Sequence, residues 1–187
     1  MGSVKGTGRS LLAMASHEAA QAVIGRKLGL VCGGVSINGT HAKAAIRALP
    51  PDLHKGSMAS QSLLQRYCIA TLAGPRAEQI LTGHSNSRME ENCVRAVLLN
   101  VTGFGPDARA DNNWRFQRAK LNHLTIEKVL AHLSEIELVS RRLIDRGSLS
   151  GREISSMLMD ENYSGTDHTP FSLKDVPLTG LVGRFPL

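Results

Sequence analysis

One stretch limits the possible folds more than any other: residues 10–29, S-L-L-A-M-A-S-H-E-A-A-Q-A-V-I-G-R-K-L-G. Leu11, Leu12, Ala15, Ala19, Ala22, Val23 and Arg26 recur at helical spacing, Ser10 is suited to cap the start, and Gly29 to end the helix. Alanine has high helix propensity and little bulk, so a helix this rich in it must be approached closely by its neighbours. Polar residues interrupt the apolar sequence at its centre. His17 and Gln21 are four apart and share a face, with Glu18 beside His17. The rest of the fold must therefore accommodate a small, partly polar helix.

The remaining sequence predicts a mainly α fold of the α+β kind, with a small two- or three-stranded β element after the first helix. Val31–Asn38 and Ala42–Leu49 alternate as short strands joined by Gly39-Thr40, and Pro50-Pro51 stops the second. Helices follow over about 57–81, 88–101, 112–132 and 134–146. Leu63, Leu64, Tyr67, Cys68, Thr71 and Leu72 form the buried stripe of the first of these. The G-P pair at Gly74-Pro75 is expected to bend or restart that helix, because proline has no N–H to donate. Gly147 is a C-cap, and Ser150 with Glu153 forms a capping box for a last helix, Gly151–Met159. A chain of 187 residues with 42% hydrophobic content suits one domain, over 10–159, between a polar start (1–9) and a proline-containing extended tail (160–187).

Composition excludes several classes. No apolar run approaches the roughly 20 residues of a membrane helix, and the start lacks the apolar core of a signal peptide. Cys32, Cys68 and Cys93 are odd in number and form no C-x-x-C pair, which argues against a disulfide scaffold and suits a reducing, cytoplasmic setting. The net charge of +6 permits an acidic partner or nucleic acid. With only 4% aromatic residues and no run of five basic ones, the features for stacking or wrapping a nucleic acid are missing.

His17-Glu18-x-x-Gln21 keeps the spacing of H-E-x-x-H, in which two histidines one turn apart bind zinc and the glutamate is the base for metal-bound water. Gln21 stands at the second ligand position. Two further blocks follow in order: L-A-G-P-R-A-E-Q-I-L-T-G (72–83) and R-R-L-I-D-R-G-S-L-S-G-R-E-I (141–154). Together the three blocks resemble the peptidase domain of the FtsH family, the AAA-linked zinc metallopeptidases, over about 10–159. The resemblance implies an FtsH-type helical peptidase fold and a polypeptide substrate or protein partner. It also implies a zinc site of two histidines and an aspartate from a later helix. Neither an ATP-binding G-x-x-x-x-G-K-[ST] loop nor a membrane span is found, so the resemblance is to the peptidase-like domain alone, with no ATP site expected.

Carried over residue by residue, His17 and Glu18 match the family pattern, Gln21 replaces a histidine, and Asn92 falls at the aspartate position, with Asn113 as a second candidate. Glu91, Glu90, Asp111, His84 and His123 are the possible replacement ligands, with Glu91 preferred as the neighbour of Asn92, although it would point about 100° away from Asn92 on an ideal helix. A neutral amide is a poor substitute for imidazole or carboxylate at zinc. Three readings follow. The first is a non-catalytic pseudo-peptidase that binds a protein partner. The second is an active zinc metalloendopeptidase with a rearranged ligand set and Glu18 as general base. The third is a basic adaptor for nucleic acid. The sequence leaves the oligomeric state open.

Overall fold

The computed structural model describes residues 10–38, 41–46, 58–102 and 108–159. The first helix, α1, spans Leu11–Lys27, with the Ser10 side chain accepting from the Ala13 N–H at 3.1 Å. That bond satisfies one of the donors left over at a helix start. At the other end Arg66 donates to the Leu28 carbonyl at 3.1 Å. The alanines do what their size allows. Ala13, Ala15, Ala19, Ala20 and Ala22 are all buried, and α1 is enclosed along nearly its whole length.

Two strands follow, β1 (Cys32–Asn38) and β2 (His41–Ile46), paired antiparallel with Val35 opposite Ala44. A long helix, α2 (Met58–Thr82), then packs against α1 more extensively than any other element does. The remaining elements are α3 (Arg88–Thr102), α4 (Ala108–Ala131), α5 (Leu133–Arg146), β3 (Ser148–Leu149) and α6 (Gly151–Met159). The mainly helical fold with a small β element is therefore as expected, and β3 extends the sheet to the order β2-β1-β3.

The local signals act where chemistry predicts. Gly147 takes a left-handed conformation (φ 72°) and its N–H bonds to the Leu143 carbonyl, which ends α5. The chain then passes straight into β3, where Val35 pairs with Leu149. Gly34 permits this pairing, since a Cβ there would lie 2.5 Å from the Leu149 carbonyl oxygen. The capping box of α6 forms, with the Ser150 N–H on Glu153 and the Glu153 N–H on Ser150.

Two details differ from expectation. α2 runs through Pro75 without restarting. α4 begins at Ala108, four residues before the expected Asn112. The expected end of the second strand and the tail over 160–187 lie outside the described residues.

The core lies between α1, α2 and α5, built from Val23, Ile24, Leu72, Ile136, Val139 and Leu143, with Val94 of α3 and Val129 of α4 added from the sides. Arg26 ties α1 to the sheet and to α6. Its guanidinium donates to the carbonyls of Ala22, Cys32, Gly33 and Gly151 at 2.7 to 3.3 Å. No described helix is long and apolar enough to cross a membrane.

Candidate functional site

Three helices meet around one imidazole. α1 supplies His17, Glu18 and Gln21. α2 supplies Thr71, Gly74 and Glu78, spaced by three and four residues and so aligned along one face. α3 supplies Glu90 from its first turn, where a carboxylate also interacts favourably with the positive end of the helix. His17, Glu18, Glu78 and Glu90 are all buried, none more than 8% exposed. Buried charges persist only when paired or hydrogen-bonded.

His17 is held on both ring nitrogens. Nδ1 lies 3.2 Å from Glu78 Oε2, and Nε2 lies 3.1 Å from Glu90 Oε1. An ionised carboxylate only accepts, so the bond to Glu78 places a proton on Nδ1. At Nε2 two demands conflict. Glu90 requires a proton there, whereas the Gln21 side-chain amide nitrogen, 3.3 Å away, can use only a lone pair. The doubly protonated ring, donating to both carboxylates, satisfies the two acids. The singly protonated ring accepts from Gln21.

The orientation of Gln21 is fixed from the other side. Its amide donates to the Thr71 carbonyl at 3.2 Å. A backbone carbonyl is a pure acceptor, so the group facing it is the NH2 and not the amide oxygen. Gly74 completes the seat. A Cβ at this position would lie 2.6 Å from His17 Cδ2 and Nε2, so the imidazole occupies the space that a side chain would fill.

A second polar cluster adjoins on α3. Glu91 accepts from Arg76 at 3.3 Å, from Arg118 at 2.9 Å and from Ser87 at 2.9 Å, and Arg76 also donates to Asn122 at 2.7 Å. Burial holds the Arg76 guanidinium below its ordinary range and Arg118 adds to this, while Glu91 opposes it. The cluster ties α2, α3 and α4 together through one carboxylate. Two of the cysteines are not activated, and burial pushes the Cys32 thiol up from its ordinary value. Burial, with Cys93 adding to it, pushes the Cys68 thiol up to about 12.

The structure thus gathers His17, Glu18 and Gln21 of the expected set on one helix, and places Asn92 elsewhere. Asn92 is exposed, and Glu90 reaches the ring in its stead. Glu91, the expected replacement ligand, is engaged with Arg76 and Arg118. The side chains of Asp111 and Asn113 lie outside the described residues. Glu90, one of the possible replacement ligands, is the one at the ring because it shares a helical face with Val94 and Val97, the inward side of α3, as Asn92 does not. Glu78 and Gly74 had no such signal, because their role depends on which face of α2 meets α1.

Zinc catalysis needs three protein donors and an open position. His17 Nε2 and Glu90 Oε1 are suitable donors, and their 3.1 Å separation is close to the spacing of about 3.3 Å between ligands with zinc bonds of about 2 Å. The expected second ligand position presents the Gln21 amide NH2, which is not a donor to a metal. Among the described residues no group of three or more His, Cys, Asp or Glu side chains is disposed to hold a metal ion. The described donor set therefore does not fit a catalytic zinc. Comparison with protein-family models gives no match for the chain, and comparison with curated proteins gives none either.

Proposed function

We propose that this protein is a peptidase-like domain of the FtsH type whose zinc-helix pocket has become a closed polar lock, and that it acts without catalysis, by binding a polypeptide partner. The observation that carries the reading is the orientation of Gln21. At the position where a second metal ligand would stand, its NH2 is committed to a backbone carbonyl. Burial supports the same reading. Glu18 and His17 lie within the helix packing, where a peptide bond and an attacking water would both need access. The polypeptide partner is what the family resemblance implies.

A second reading, an active zinc metalloendopeptidase, draws on one feature. A carboxylate on Nδ1 of His17 and a second on the Nε2 side resemble the outer-sphere support of a metal-bound histidine. One experiment separates the two. Zinc is measured by elemental analysis on protein purified without added metal, and casein cleavage is compared for wild type and Glu18→Gln. The lock predicts substoichiometric zinc and no Glu18-dependent cleavage. Zinc at one per chain, with cleavage lost in Glu18→Gln, would overturn it.

A further inference from the structure

The bond from Gln21 to Thr71 raises a question of supply: why a helical carbonyl in the middle of α2 is available to a side chain of another helix. In an α-helix the carbonyl of residue 71 accepts from the N–H of residue 75. Residue 75 is proline, which has no N–H and whose ring also crowds that carbonyl. Pro75 therefore removes the donor from one buried acceptor, and Gln21 supplies the replacement at 3.2 Å from across the helix interface. Buried backbone carbonyls are nearly always paired, so the proline position and the glutamine position are chemically linked although 54 positions separate them.

We infer that Gln21 and Pro75 are a matched pair, in which Pro75 is the residue that decides what Gln21 can bind. The acceptor vacated by Pro75 draws the glutamine NH2 onto Thr71. With the NH2 held there, the amide oxygen cannot take that position, and the nitrogen is the atom presented to His17 Nε2. The pair joins α1 to α2 by a neutral bond beside the imidazole and excludes Gln21 from service as an oxygen ligand. Pro75 is thus a positioning residue that works through Gln21. α2 stays continuous across the proline.

For its functional meaning the pair rests on the pseudo-peptidase reading, but its test does not involve zinc. A double-mutant cycle in urea uses wild type, Gln21→Leu, Pro75→Ala and the double variant. Gln21→Leu keeps bulk and removes the donor. Pro75→Ala restores an N–H to the Thr71 carbonyl, and any cavity it leaves is common to both arms and cancels. With Pro75 present, Gln21→Leu is expected to lower the folding equilibrium constant about tenfold or more, since a buried acceptor loses its partner. In the Pro75→Ala background the same change is expected to cost at least about threefold less, because only the contact to His17 Nε2 is then lost. Gln21→Glu, which has no donor when ionised, should show the same dependence on residue 75.

An independent reading comes from the NMR signals of the Gln21 side-chain NH2. These should be shifted and slowly exchanging in wild type and move toward free-amide values in Pro75→Ala. Equal costs of Gln21→Leu in the two backgrounds would refute the pair, as would Gln21 NH2 signals unchanged by Pro75→Ala. Stoichiometric zinc in wild type would refute the pseudo-peptidase reading and leave the cycle as it stands.

Discussion

Gly74→Ala is a demanding test of the polar lock, because it adds one methyl group where the structure has no room. The new Cβ would sit 2.6 Å from His17 Cδ2 and Nε2 and 2.9 Å from Cε1, against an ordinary contact of 3.4 Å or more. Ring and methyl must separate by about 0.8 Å, the shortfall from 3.4 to 2.6 Å. The ring is not free to yield, since Glu78 holds Nδ1 and Glu90 approaches Nε2. Either α1 and α2 move apart, at an overpacking cost of about 1–3 kcal/mol, or the ring swings and weakens a charge-assisted hydrogen bond worth about 1.5–3 kcal/mol. Alanine returns about 1 kcal/mol of helix propensity. The expected net loss is about 0–2 kcal/mol, up to roughly 8 °C in Tm for a chain of this size, accompanied by a shift of the His17 ring signals.

The assay is thermal and urea unfolding followed by far-UV circular dichroism, with the His17 ring signals monitored by NMR. Gly83 does not serve as a control on its own, because it combines open space with a left-handed backbone (φ 76°). Ala77→Gly, one turn further along α2, reports the propensity term but also loses a buried methyl, so it should be destabilising. If Gly74→Ala is as stable as wild type and leaves the His17 ring signals unmoved, the imidazole is not seated as described and the geometry of the lock is wrong.

Two further outcomes follow from the surrounding structure. Glu91→Gln removes the charge that compensates buried Arg76 while keeping the side chain's shape, and should cost about 2–4 kcal/mol at pH 7 by urea midpoint. A change below about 0.5 kcal/mol would show that the cluster contributes nothing. Burial opposes ionisation of Glu135, but Lys27 and His132, each 2.6 Å away, outweigh it and hold the carboxyl below its usual range. A depressed carboxyl stabilises the fold above its unfolded pKa of about 4.3 and loses that contribution as pH falls through the folded value. The stability gap between wild type and Glu135→Gln should therefore narrow as pH is lowered from 5 to 3, and a gap that stays constant would contradict the assignment.

Much of the local architecture was legible in the sequence because it depends on neighbours along the chain. The Ser10 cap, the Gly147 C-cap, the Ser150–Glu153 box and the helical periods around them each depend on residues within a few positions of one another. The mainly helical fold with its small sheet follows from those periods. The restart allowed for at Pro75 did not occur, and the carbonyl that the proline leaves without its helical donor is met by Gln21, far away in sequence.

The sequence alone determined that an alanine-rich helix would carry His17, Glu18 and Gln21 on neighbouring positions, with His17 and Gln21 one turn apart on a shared face. Only the tertiary structure decided what those residues face. Glu90 rather than Asn92 meets the imidazole because the apolar face of α3 sets its rotation. Gly74 matters because α2 presses its backbone against the ring, and Glu78 because the same face places it at Nδ1. Gln21 acts as a donor because Pro75, distant in sequence, leaves it a carbonyl to satisfy. Spacing along a chain fixes which side chains share a helix face, whereas hydrogen-bond roles and charge pairing depend on the groups that packing brings to that face.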